Sequence, residues 1–260
     1  KTRTLFADLC MALLIFDPRK MHTQMSNTYF KFKQFTIHHD RCAMKVGTDG
    51  VLLGAWASVR DARRILDVGT GSGLIAIQLA QRSPEAQVTA IEIDAAAAGQ
   101  AQENVARSPW GERMEVVCMD FGAYSPQEKF DLIVSNPPYF VDALRSPDAQ
   151  RRMARHTEGL NYEVLFRHSS ELLAEDGRLA IIIPTEVAEL ALGSAFTQGW
   201  FLARRTNVYT KPGKKCRRLL LEFRKNPVPY VSTDLYIERA EGGYSEDYVA
   251  LTRDFYLRFP

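Results

Sequence analysis

The run Leu66-Asp67-Val68-Gly69-Thr70-Gly71-Ser72-Gly73 limits the architectures open to this chain more than any other stretch. It begins inside an apolar run and opens the helical pattern Leu74, Ile75, Ile77, Leu79, Ala80, so its glycines occupy a strand-to-helix turn. In that setting a glycine loop can hold a ligand. Glycine lets the backbone come close and take positive φ, and the free N–H groups of the next helix's first turn face whatever sits there. Apolar runs and helical patterns keep alternating downstream. Strands are expected at 64–68, 88–92, 114–118, 130–135 and 178–183, and helices at 49–58, 73–82, 95–107, 161–175 and 186–196, with Asp176-Gly177 ending the fourth. Residues 200–209 and 217–223 face each other across the loop 210–215 as an antiparallel pair, and 244–256 reads as a short amphipathic helix. Such alternation predicts an α/β fold with a doubly wound sheet.

The strand ends carry the chemistry. Ile91-Glu92-Ile93-Asp94 closes the second strand and puts Glu92 where a carboxylate can accept both hydroxyls of a ribose. Asp94 reads as the cap of a helix starting at Ala95. Asp120, after the third strand, is placed to accept from an adenine amine, or is an ordinary acid of a surface loop. Leu74 stands where a nicotinamide-dinucleotide fingerprint needs its third glycine, which argues against a pyrophosphate. After the fourth strand comes Asn136-Pro137-Pro138-Tyr139. Prolines fix φ and lack N–H groups, so this backbone offers carbonyls to an incoming amine. The Asn136 side chain adds another acceptor, and Tyr139 can lie against a planar base. A plain turn is the competing explanation, since Asn-Pro and Pro-Pro are turn signals.

Together these segments resemble the class I S-adenosylmethionine-dependent methyltransferases, and the Asn-Pro-Pro-Tyr ending resembles those that methylate exocyclic or amide nitrogens. Residues 35–49, Phe-Thr-Ile-His-His-Asp-Arg-Cys-Ala-Met-Lys-Val-Gly-Thr-Asp, resemble more narrowly the bacterial tRNA1(Val) adenine-N6 methyltransferase family. The resemblance implies a mixed seven-stranded sheet with its last strand antiparallel. It also implies S-adenosyl-L-methionine as cofactor, tRNA as partner, and N6 methylation of adenosine 37, just 3′ of the anticodon, in a valine tRNA. By match to the family's motifs, Asp67, Gly69, Gly71, Glu92, Asp120, Phe121 and Asn136 would bind the cofactor, joined by Gly47, Thr48 and Asp49 upstream. Asn136, Pro137, Pro138 and Tyr139 would hold the target base. Residues 25–260 would form one such domain, with an N-terminal helical lid and a C-terminal helix, acting as a cytoplasmic monomer.

Composition narrows the partners. The chain has 33 Lys and Arg against 31 Asp and Glu, a net charge of +2, so any nucleic-acid surface must be a local patch. Two clusters qualify: Arg145, Arg151, Arg152 and Arg155 after the Asn-Pro-Pro-Tyr segment, and Lys211, Lys214, Lys215, Arg217 and Arg218. Either could grip phosphates or simply be a hydrated surface. Cys10, Cys42, Cys118 and Cys216 are scattered without a C-x-x-C pair, which argues against zinc or a disulfide framework and suits a reducing cytosol. His38 and His39 point to opposite faces of a strand, and no metal is expected. The apolar run Leu9 to Phe16 is too short to span a bilayer, so no membrane partner is expected and residues 1–24 read as a dispensable leader. Three rivals stay open: a protein-glutamine methyltransferase acting on release factors, a DNA or rRNA adenine methyltransferase, and a non-catalytic nucleotide- or RNA-binding scaffold.

Overall fold

The computed structural model describes residues 27–138 and 160–260. The leader expected at 1–24 lies outside the described residues. Five parallel strands make the centre: β3 (Arg64–Val68), β4 (Gln87–Glu92), β5 (Met114–Cys118), β6 (Phe130–Ser135) and β7 (Leu173–Pro184). Their central positions, Ile65 and Leu66, Ala90 and Ile91, Leu132 to Val134, and Leu179 to Ile183, are apolar and buried because both faces are covered there, as a parallel sheet between helices requires.

Alternate residues of these strands feed two cores. Ile65, Leu132, Val134, Ala180 and Ile182 pack on one side with α1 (Thr48–Trp56), α2 (Leu74–Arg82) and α3 (Ala95–Arg107). Leu66, Ile133, Leu179, Ile181 and Ile183 pack on the other with α4 (Tyr162–Leu172) and α5 (Ala188–Thr197). At the C-terminus, α6 (Glu246–Thr252) is capped by Ser245, which accepts from the Tyr248 N–H. No helix among the described residues is long and apolar enough to cross a membrane.

The sheet extends past β7. β9 (Cys216–Arg224) runs antiparallel to both β7 and β8 (Phe201–Tyr209), as the facing pair predicts. An eighth strand, β10 (Val231–Tyr236), lies parallel on β8 and gives the order β10-β8-β9-β7-β6-β3-β4-β5. Its mostly exposed, polar residues carry little periodic signal, which is usual for an edge strand. Because β9 reverses twice, β8 and β10 point the same way as β6. The loop between β8 and β9 therefore lies at the carboxyl edge of the sheet.

One boundary differs clearly from expectation. The helix expected at 161–175 ends at Leu172, and Leu173 already pairs with Phe130. Gly177 sits inside a register shift, where a Cβ would lie 2.8 Å from Leu173 Cδ2 and 3.0 Å from the Phe130 carbonyl oxygen. Close backbone approach, and not a helix stop, is why that position is glycine. The described chain before α1 starts with a hairpin, β1 (Tyr29–Lys31) and β2 (Thr36–His38), whose Phe32 and Phe35 rings stack at 4.6 Å. The loop from His39 to Gly47 follows.

Candidate active site

The carboxyl ends of β3, β4, β5 and β6 open into one cavity of about 550 Å³, at the crevice where doubly wound sheets take their ligands. Gly69 and Gly71 line it after β3, Glu92 at the end of β4 with Ile93 and Asp94 after it, Asp120 and Phe121 after β5, and Asn136 and Pro138 after β6. Residues separated by nearly seventy positions in sequence thus share one space.

The glycine loop is zipped to β4, since the Gly69 and Thr70 N–H groups both donate to the Ile91 carbonyl at 2.9 and 3.0 Å. Gly69 and Gly71 hold φ at +71° and +56°, and nothing lies within 4 Å of where a Gly71 Cβ would stand. Beneath the loop, the fully buried Asp67 accepts the Thr70 hydroxyl at 2.6 Å and the Ala76 N–H at 3.1 Å. That N–H is one of the orphan donors at the start of α2. Asp67 Oδ1 is buried without a partner. Desolvation raises its pKa to about 7 against the pull of those two bonds. Asp67 therefore lies under the loop and is not among the cavity-lining residues.

Glu92 ties the loop to the next helix. Its Oε2 accepts the Gly71 N–H at 2.9 Å and its Oε1 accepts the Asp94 N–H at 3.0 Å. Asp94 caps α3 by accepting from the Ala97 N–H at 2.8 Å, as the sequence predicts, and also lines the cavity. Asp120 accepts the Gly122 N–H at 2.8 Å and starts a 3-10 turn over Phe121–Ala123. Three carboxylates therefore line the cavity, with no Lys, Arg or His among its described lining residues. Ile91, Ala97 and Phe121 supply apolar wall. Such a site favours hydrogen-bond donors and positive charge and repels a pyrophosphate.

Pro137 is buried and Pro138 exposed. Tyr139, Arg145, Arg151, Arg152 and Arg155 lie outside the described residues. The structure does not bring Gly47, Thr48 or Asp49 to the cavity. Thr48 and Asp49 line a separate depression of about 350 Å³, because α1 starts there and directs Asp49 to Arg218, whose Nε donates to Oδ2 at 2.7 Å. Arg218 is thereby engaged inside the fold, whereas Lys214, Lys215 and Arg217 are exposed and Lys211 half-buried. The upstream wall of the cavity is instead Cys42, Ala43 and Met44. Those residues fall inside the stretch 35–49 but carry no strand-end or glycine signal of their own. Sequence reasoning also misses Ile93 and Met119, and the exposure of Ile93, Met44 and Met119, at 60%, 55% and 40%, marks the rim of the cavity.

The methyltransferase small domain model matches residues 45–207. A curated relative from Bacteroides thetaiotaomicron, a tRNA1(Val) (adenine(37)-N6)-methyltransferase, is 56% identical over 234 residues, 90% of this chain and 99% of its own length. The chain belongs to the tRNA1(Val) (adenine(37)-N6)-methyltransferase family. Among solved structures it is similar to a predicted O-methyltransferase, protein Atu636 from Agrobacterium tumefaciens, with a TM-score of 0.64 at 19% identity, covering 80% of this chain and 96% of that one. It is also similar to the glycopeptide N-methyltransferase MtfA complexed with (S)-adenosyl-L-methionine, with a TM-score of 0.52 at 13% identity, covering 70% of this chain and 90% of that one. Those two likenesses show the class I methyltransferase fold. Within the tRNA1(Val) (adenine(37)-N6)-methyltransferase family, relatives elsewhere stay close: one from Salmonella arizonae is 46% identical over 231 residues, 88% of this chain and 94% of its own length.

Proposed function

We infer that this protein is an enzyme that transfers a methyl group from S-adenosylmethionine to the N6 amine of adenosine 37 in tRNA1(Val). One observation carries the reading: an acidic cavity, with no basic side chain among its described lining residues, is joined directly to Asn136 and Pro138. The cavity fits this cofactor and not a dinucleotide. Glu92 and Asp120 offer acceptors for ribose hydroxyls and an adenine amine, the carboxylate lining suits an ammonium and a sulfonium, and the open space at Gly71 leaves room for a ligand against the backbone.

When bound, S-adenosylmethionine supplies a methyl group on positively charged sulfur, a good leaving group. The difficulty lies with the amine, whose lone pair is delocalised into the base. The Asn136 side-chain carbonyl and the Pro137 main-chain carbonyl accept the two amine hydrogens and turn the lone pair out of the ring plane, toward the cofactor side of the cavity. Catalysis is then mainly positioning and electrostatics. A general base is not needed before transfer, and the proton leaves after the N–C bond has formed. The base must first be unstacked from the anticodon loop, which costs a few kcal/mol.

The exposed Lys214, Lys215 and Arg217, at the same carboxyl edge of the sheet as Asn136, support a phosphate grip beside the site. The cytoplasm is the setting such a substrate requires. Labelled-methyl transfer to a tRNA1(Val) transcript, the same transcript with guanosine at position 37, a release factor and duplex DNA tests the reading. Label should enter the first alone, and transfer to release factor or DNA at equal rate would overturn it.

A further inference from the structure

Helix α3 turns two amide side chains inward, Gln100 and Asn104, each 1% exposed. One turn apart, they share a helix face. Neither is among the residues lining the cavity. A buried amide is costly unless its donors and acceptors are met, and an apolar residue would fill such a position at less cost. What these two hold is therefore informative.

Asn104 pairs with the main chain of His38 at both ends, accepting the N–H at 3.0 Å and donating to the carbonyl at 2.8 Å. Its Nδ2 also donates to the Ser72 carbonyl at 2.8 Å, between Gly71 and Gly73. Gln100 Oε1 accepts the Arg41 N–H at 2.9 Å and the Cys42 thiol at 3.2 Å, while Nε2 donates to Asp40 Oδ1 at 2.7 Å. A Cβ at Gly73 would stand 3.5 Å from Ala101 Cβ, so α3 backs directly onto the glycine loop. One face of one helix thus binds two separate stretches of chain. The first ends in the glycine loop, and the second runs straight into Cys42, Ala43 and Met44.

We propose that Gln100 and Asn104 are positioning residues for the cofactor, locking the segment that carries Cys42 to Met44 at a set separation from the glycine loop. The proposal rests on the reading that S-adenosylmethionine occupies the cavity. Released from the amides, the upstream wall would drift, and the cofactor would be held less tightly although neither amide touches it. Chemistry at Asn136, which follows β6 and is bonded to neither amide, would be spared once the cofactor is bound.

The test uses the full chain and three variants, each assayed where its melting curve shows the folded state. Asn104→Asp keeps an acceptor for the His38 N–H but loses both donors. Gln100→Glu sets a second carboxylate against Asp40. Gln100→Glu with Asp40→Asn exchanges donor and acceptor and restores the pairing at unchanged net charge. Calorimetry with S-adenosylmethionine and steady-state kinetics with tRNA1(Val) should show the two single variants losing about tenfold in cofactor Kd and KM, with kcat and tRNA KM within about twofold. The exchange pair should recover most of the loss, as coupled neighbours do. Cofactor Kd unchanged in both single variants, or kcat falling while both KM values rise together, or an exchange pair as weak as Gln100→Glu, would overturn the proposal. A wild-type chain that binds no S-adenosylmethionine would instead overturn the reading of the cavity on which it rests.

Discussion

The hydroxyl of Ser135, the last residue of β6, donates to the carbonyl oxygen of Val68, the last residue of β3, at 2.8 Å. The bond is fully buried and joins the two strand ends from which the cavity-lining residues Gly69 and Asn136 follow directly. Its removal loosens both at once. Ser135→Ala is expected to cost about 1 kcal/mol of stability and to lower the melting midpoint by about 2–4 °C. Turnover should fall more than cofactor affinity, since it is the relative placement of Asn136 that suffers. Thermal melts and steady-state kinetics on one preparation check this.

Asp67 predicts a pH dependence of stability. Its folded pKa of about 7 lies above the ordinary value of 3.8. Across that window the folded chain holds a proton that the unfolded chain has released, so stability falls as pH rises. Asp67→Asn keeps an acceptor for Thr70 and Ala76 and removes the buried charge. The ligand-free variant should be more stable than wild type at pH 8, by on the order of a few kcal/mol, with the difference shrinking toward pH 4. Melting curves at several pH values measure it, and a variant less stable at pH 8 would contradict the assignment.

Glu92 is expected to act on cofactor affinity. Both oxygens hold backbone N–H groups of the loop and the α3 entrance, leaving further lone pairs for ribose hydroxyls. Glu92→Ala removes charge-assisted acceptors worth about 1.5–3 kcal/mol each. Calorimetry should show S-adenosylmethionine Kd rising by about 100-fold, and less for Glu92→Gln, which keeps one acceptor.

Asn136 is expected to separate from Glu92 by its effect on turnover. Asn136→Ala should leave S-adenosylmethionine Kd within several-fold and cut kcat by about 10²–10³, the size seen when one preorganised polar group is removed from a reacting centre. Equal losses of affinity in both variants would mean that the amine-holding role is misplaced.

The basic loop should report itself through salt. Lys214, Lys215 and Arg217 changed together to Gln should weaken tRNA binding and flatten its dependence on ionic strength, by about 0.7–0.9 in log–log slope for each phosphate no longer neutralised. Arg218→Gln should differ in kind, because its partner is Asp49 and its removal acts on the joint between α1 and β9. Binding titrations at several salt concentrations distinguish the two.

Local signals made half of this site legible. Each parallel strand carries a short apolar run, and the residues that matter lie at or just past its end: Gly69 and Gly71 after β3, Glu92 closing β4, Asp120 soon after β5 and Asn136 after β6. Parallel strands align their carboxyl ends, so residues read one strand at a time had to meet. The capping role of Asp94 was equally local, being a bond to a residue three positions away.

What the amino-acid sequence determined by itself was the layered α/β fold, the edge of the sheet that carries the site, and the strand-end residues around it, because strand and helix periods and turn chemistry act over a few residues. Only the tertiary structure decided that Cys42 to Met44, and not Gly47 to Asp49, close the cavity, that Asp49 reaches Arg218, and that β10 extends the sheet. Those outcomes depend on bonds between distant segments, such as Gln100 to Arg41 and Asn104 to Ser72, whose partners leave no periodic trace in either stretch.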